Sequence, residues 1–201
     1  EKKLKLVIEP QAQVSIVDDR EWQEDDVVTA LEIVAYKNAR VVVSDQQTFG
    51  SKSAVRNEIN LIAERDATIF FFFNQTGSAK THTIIAAQLQ GENAEIQMRI
   101  GARVQGSSQH TVESSQQHMA AHTKSNCIVK TTVDDSARSD YTGIIFVAKE
   151  AAASEAFQQH KSIVLSEKAA AYAKPSIEVL TDDVQCGHGS AIGQLDEEHL
   201  L

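Results

Sequence analysis

Apolar and polar residues alternate one by one through most of the chain. Val14 and Ile16, or Ile96 and Met98, occupy every second position, which places them on one face of a strand. Val28, Ala30 and Glu32 against Thr29, Leu31 and Ile33 read as a strand with two distinct faces. The alternation recurs behind a marker: a polar pair, then Ala, then alternating apolar residues. The marker appears as PQAQVSI at Ala12, KNARVVV at Ala39, RDATIFF at Ala67 and ENAEIQM at Ala94, at spacings of 27, 28 and 27 residues. A fixed period of this size signals a repeat architecture in which each unit buries its face against the next. Asn38, Asp66 and Asn93 before the Ala suit a tight turn, because such side chains bond the local backbone and tolerate left-handed geometry. Each period therefore reads as strand, turn, strand, turn: one coil of a β-solenoid whose stacked coils form parallel sheets.

The period breaks after Ala94. The next comparable position is Ala137 in DDSARSDYTG, 43 residues on. The polar, His-rich stretch between them, SSQHTVESSQQHMAAHTKSN, reads as a longer coil with an excursion or loop. Residues 148–173 are rich in Ala, Glu, Lys and Gln and taken alone would be helical. The β-branched cluster around Ile163 and Val164, and a turn-like EKAAAYA, favour strand and turn instead. In the tail GQLDEEHLL, Asp196 is placed to cap a short helix with acidic residues in its first turn.

A chain of 201 residues fits one domain, residues 1–201. Two prolines and no Ser/Gly-rich linker leave no internal boundary. The longest apolar run, Ile69 to Phe73, is far short of a membrane span, and no leader opens the chain. The first residue is Glu, so an N-terminal part is expected to be missing. A net charge of −9 with 19 scattered basic residues argues against a nucleic-acid partner. Cys127 and Cys186 make no disulfide framework, and reduced thiols fit a cytoplasmic protein.

Three constellations are candidates for chemistry. His118 and His122, at i and i+4, would share a helix face and could bind zinc; with His110 and Cys127 they match no zinc module, and exposed histidines on a polar loop are the simpler reading. Asp134–Asp135 and Asp182–Asp183, on neighbouring coils, could serve a polysaccharide-cleaving solenoid enzyme, but only Arg138 stands near either pair and adjacent Asp residues commonly form turns. No nucleophile elbow, phosphate loop or GxGxxG occurs. The third constellation is Cys186 and His188 in VQCGHG. If this run continues the strand of SIEVL, both side chains share a face, about 7 Å apart, and Gly187 and Gly189 occupy the other. Glycine in a strand marks close approach by another backbone, which suggests an interface strand presenting a thiol and an imidazole. Those ligands suit zinc, copper or iron–sulfur chemistry. Two ligands do not complete a site, so the rest must come from elsewhere, including another chain; a buried small hydrophobe and a hydrogen-bonded core histidine are the alternative.

The run PSIEVLTDDVQCGHGSAIGQLDEEHL, 175–200, resembles the C-terminal core of the SufB/SufD family of iron–sulfur assembly proteins, whose pattern is roughly P-x-L-E-I-x-x-D-D-V-x-C-x-H-G-A-T-x-G-x-L-D-E-E-x-L. Pro175, Glu178, Asp182, Asp183, Val184, Cys186, His188, Gly189, Gly193, Leu195, Asp196, Glu197, Glu198 and Leu200 match. HMAAHTKS (118–125), VDDSARSDYTGIIFV (133–147) and AFQQHKSIVLSEKA (156–169) resemble further family stretches, so the likeness is strong over 118–200 and architectural before it. The D-type is the closer form, because the cysteine-containing segment of B-type chains is absent.

The resemblance implies a right-handed parallel β-helix that acts as an assembly scaffold rather than an enzyme. It implies pairing with a SufB-type paralogue through C-terminal strands, and binding of a SufC-type ABC ATPase. It also implies a transient Fe–S cluster at the interface, with Cys186 and His188 as the candidate cluster and metal residues, completed by the partner chain. The family continues into a helical segment that docks the ATPase, so this chain reads as a trimmed core. Without its paralogue, a homodimer through the last strand is expected.

Overall fold

The computed structural model describes residues 2–194. They form fourteen strands and no helix: β1 Lys2–Ile8, β2 Gln13–Trp22, β3 Asp26–Ala35, β4 Arg40–Phe49, β5 Ala54–Ala63, β6 Thr68–Thr76, β7 Lys80–Leu89, β8 Glu95–Val104, β9 Gln109–His118, β10 Lys124–Val133, β11 Arg138–Val147, β12 Ser154–Val164, β13 Ala170–Val179 and β14 Val184–Gln194. Odd strands make one seven-stranded sheet in the order β1-β3-β5-β7-β9-β11-β13, and even strands make the other, β14-β12-β10-β8-β6-β4-β2. Every pairing is parallel, for example Val41↔Ile69 and Ile69↔Ile96. This is the expected all-β parallel solenoid, about seven coils long. The helix expected at Asp196 lies outside the described residues, among which no helix is long and apolar enough to cross a membrane.

The corners explain the marker. Gln11, Asn38, Asp66, Asn93, His122 and Ala153 all adopt left-handed backbone, with φ between 57° and 65°. At each, the amide donates to a carbonyl of the next coil, as in Asn38 N to Arg65 O (3.1 Å) and Asp66 N to Glu92 O (2.9 Å). The following residue turns inward into a space with room for a small side chain: Ala39, Ala67 and Ala94 are buried. The series does not break after Ala94. It continues at Thr123 and Ser154, 29 and 31 residues apart, both buried. Ala137 belongs to the opposite corner, whose turn closes by Ala137 N donating to Asp134 O, as Ser53 N does to Gly50 O. The His-rich stretch is therefore two regular strands, β9 and β10, with no excursion. Residues 148–173 supply β12 and the start of β13; their helix propensity yields to pairing on both sides.

Between the sheets, the early coils are apolar on the side of the Ala-type corners, while toward the opposite corners they bury a hydrogen-bonded polar cluster that includes Thr29, Asn57, Gln75 and Thr83. Ile33, Leu61, Ile69, Phe71, Ile85, Ile96 and Met98 are fully buried, and Phe71 stacks on Phe73 at 6.2 Å. From β9 onward the same inward positions carry His110, Ser114, Gln116, His118, Cys127, Gln158 and His160, all buried. The corner substitution follows from this change. His118 Nδ1 lies 2.7 Å from Thr123 Oγ1 and its Nε2 2.7 Å from Ser125 Oγ, so a hydroxyl replaces the corner alanine where a buried imidazole needs a partner.

The close fit of the corner alanines gives a direct test. Ala67→Leu forces three extra carbons into a filled corner, and chemical denaturation should show a loss of about 1–3 kcal/mol, whereas the same change at exposed Ala54 should leave the midpoint nearly unmoved.

Candidate functional site

β14 is the last described strand of its sheet. It pairs with β12 along one side, Ala156↔Cys186 and Gln158↔His188, and forms an edge on the other. Because its partners Ala156, Gln158, His160 and Ser162 face inward, so do Cys186, His188, Ser190 and Ile192. Among the described residues no coil lies beyond them, and the interior is open here: Ile177, Val179 and Ile192 are 36–47% exposed.

Cys186 packs against the buried cluster of Ile145, Val147, Ala151 and Ala156 and is half-buried. That burial raises its thiol pKa, opposed by a hydrogen bond involving the Ala156 backbone. His188 is exposed. The two share a face two residues apart, about 7 Å along the strand, as the spacing predicts. Gly187 and Gly189 lie on the outer face, also as expected. A Cβ on Gly187 would meet only the Phe157 ring at 3.3 Å, and one on Gly189 would meet nothing within 4 Å. Among the described residues, no backbone makes the close approach that the glycines suggest.

Sequence reasoning missed what lies beneath the pair. His160 Nδ1 is 3.2 Å from Ser190 Oγ and its Nε2 3.1 Å from Ser162 Oγ. The imidazole stacks on Tyr141 at 4.8 Å, 5° from parallel, and Tyr141 Oη lies 2.7 Å from Ser114 Oγ. Gln158 reaches over Gly143, where a Cβ would fall 2.1 Å from the amide nitrogen. Cys127 faces Ser114 and Tyr141 in full burial, which pushes its thiol up to about 11; the tyrosine hydroxyl is pushed upward too, chiefly by burial. A file of polar side chains thus leads from the open end at Ser190 to the middle of the solenoid at Cys127. The signal was present as polar residues at inward positions of β9 to β12. Reading it required knowing which face was inward.

The other constellations do not assemble. His118 ends β9 and is buried, while His122 sits exposed at a corner with φ 59°, so no helix places them together. His110 and His118 are interior residues, not exposed loop histidines. Asp134 accepts hydrogen bonds from the Asp135 amide and from Ser166 Oγ, and Asp135 adopts φ 58°: a turn. Asp182 and Asp183 lie in the turn before β14, at the opposite corner type, so the two pairs do not converge. Among the described residues, no group of three or more His, Cys, Asp and Glu side chains could hold a metal ion. Cys186 and His188 share an inward face of the edge strand without further His, Cys, Asp or Glu side chains gathered around them among the described residues.

The profile of the SUF system FeS cluster assembly SufBD core domain matches residues 2–201. The chain belongs to the SufBD core family. This SufBD core is 27% identical over 142 residues to the iron-sulfur cluster assembly protein SufD of Escherichia coli K12, covering 71% of this chain and 34% of that protein. It is 32% identical over 80 residues to an iron-sulfur cluster assembly SufBD family protein of Synechocystis, covering 40% and 18%. A SufBD family protein of Mycobacterium bovis matches at 25% over 187 residues, covering 90% and 21%. The SufBD core thus spans about a third or less of the length of these relatives.

Two measurements check the environments described. A thiol-disulfide reagent should modify Cys186 in the native protein and reach Cys127 only on unfolding, because a fully buried thiol with a raised pKa offers no accessible thiolate. Burial also lowers His110 and His118 to about 4 from an ordinary 6.5. Between these values the unfolded chain binds more protons than the folded one. Stability should be intact above pH 6.5 and decline as pH falls toward 4, by on the order of 3 kcal/mol per histidine. Denaturation across that range should show a shallower decline for His118→Asn.

Proposed function

We propose that this SufBD core is a D-type scaffold subunit of the SUF machinery, holding part of a nascent Fe–S cluster at the edge of its last coil. The observation that carries the reading is the position of Cys186 and His188: inward-facing, on a strand paired only with β12 among the described residues, at the open end of the described coils. Thiolate and imidazole both ligate iron. Two such ligands leave a cluster incomplete, and a strand added along β14 by a SufB-type paralogue would bring further ligands to the same mouth. The smooth outer stripe of Gly187, Gly189, Ala191 and Gly193 offers no side chain to obstruct that approach. The raised thiol pKa of Cys186 ties ligation to arrival of the metal, whose charge displaces the proton. In the absence of the paralogue, the same edge supports a symmetric homodimer. A SufC-type ABC ATPase is the third partner in this reading, docked outside the described coils. The cluster is cargo, passed on rather than retained, and the chain itself catalyses no reaction.

The decisive experiment is anaerobic co-purification of the complete protein with its B-type and ATPase partners, as wild type, Cys186→Ser and His188→Ala. The complex should form in all three, with iron and acid-labile sulfide reduced several-fold in the variants. Unchanged cluster content in an intact complex would overturn the reading and leave a purely structural subunit.

A further inference from the structure

The outer face of the even-numbered sheet carries charges that the edge site does not use. Arg99 and Arg103 project from β8, Lys130 from β10 and Lys161 from β12. Lys130 is in register with Gly101 on one side and with Lys161 on the other. Two ammonium groups therefore stand abreast on neighbouring strands, an arrangement that is unfavourable by itself. Among the described residues, none of the four cations forms an ion pair. Arg99 donates to the carbonyls of Met98 and Asn126 and, at 3.5 Å, to the Gln97 side chain. The carboxylate that influences Arg103 is Asp134, at the corner beyond it. Several other outward-facing cations are matched: Lys5 with Glu32, Arg56 with Glu58, Lys124 with Glu155 and Arg138 with Asp140. In a chain of net charge −9, four cations without an ion pair on three adjoining strands are a local concentration of positive charge.

They also surround a depression. Gly101 supplies no side chain where its neighbours in register are Asn74 and Lys130, and two hollows meet over it. One, of about 460 Å³, is bounded by Phe72, Arg99 and Ile128. The other, of about 510 Å³, is bounded by Thr76, Arg103, Thr132 and Lys161. Asn74, Gly101 and Lys130 line both. Each has the size of a small-molecule site. The cations span β8 to β12, about 10 Å at ordinary strand spacing, which is too wide for one carboxylate and suits several linked anionic groups. Arginine forks, lysine point charges and the Asn74, Thr76 and Thr132 donors are the usual complement for phosphate oxygens.

We propose that this cleft binds a small molecule carrying a di- or polyphosphate group, with the phosphates over Gly101 between Lys130, Lys161 and Arg103. The concave floor favours a compact ligand over an extended acidic segment, and Phe72 and Ile128 at the Arg99 end offer an apolar surface to the rest of it.

Pyrophosphate and tripolyphosphate titrated calorimetrically into the chain test this. Binding should saturate at one site and weaken with added salt. The double variant Lys130→Ala/Lys161→Ala should lose about tenfold or more in affinity, while Lys149→Ala, an exposed lysine elsewhere, should bind as wild type. Gly101→Ala keeps every charge but places a Cβ 2.8 Å from Asn74 Oδ1, and it should also weaken binding. Unchanged thermal midpoints would exclude misfolding as the cause. Absent binding, equal binding by the variants, or binding of a glutamate-rich peptide with which pyrophosphate does not compete would overturn the proposal, the last in favour of an acidic protein segment.

Discussion

At each Ala-type corner one residue turns left-handed, and its amide points along the solenoid axis to a carbonyl of the coil above. From Gln11 to Ala153 these bonds form a column, with Gln11 N to Lys37 O at 3.0 Å and Ala153 N to Asp183 O at 2.6 Å. The column fixes where the even-numbered strands β2 to β12 begin, and so fixes their register. Register decides which side chains face inward, since a slip of one residue would exchange the two faces. The apolar centre, the polar file and the orientation of Cys186 and His188 all depend on that alignment.

The coil period was legible because the corner leaves chemical traces. A left-handed residue favours Asn or Asp, and the tight inward position favours Ala. Where the interior turned polar, the traces changed. Ala gave way to Thr123 and Ser154, whose hydroxyls serve buried neighbours, while Asn gave way to His122 and Ala153. The period became unreadable although the backbone did not alter. Inward polar residues such as Gln158 and His160 likewise removed the apolar alternation that marks a strand, which left β12 looking helical by composition.

The candidate site was legible in part. The spacing of Cys186 and His188 correctly put them on one face opposite two glycines. Their place on an open edge depends on how many coils stack beneath them. The linkage of Ser190 through His160 and Tyr141 toward Cys127 joins residues that are distant in sequence. The zinc reading of His118 and His122 failed for a related reason: separation by four residues means proximity only on a helix, and here it spans the end of a strand and a corner.

A stack of coils, each touching only its neighbours, distributes its cooperativity unevenly. A central coil must break pairing on both sides to open, whereas the last described coil, β13 and β14, pairs with described strands on one side only and has exposed apolar residues at its mouth. Among the described coils, one paired on a single side opens at lower cost than a central one. The described coils are in effect a stiff stack with a more compliant last layer, and Cys186 and His188 sit on that layer. Donor groups on such an element can shift to meet an approaching surface while the coils below keep their alignment.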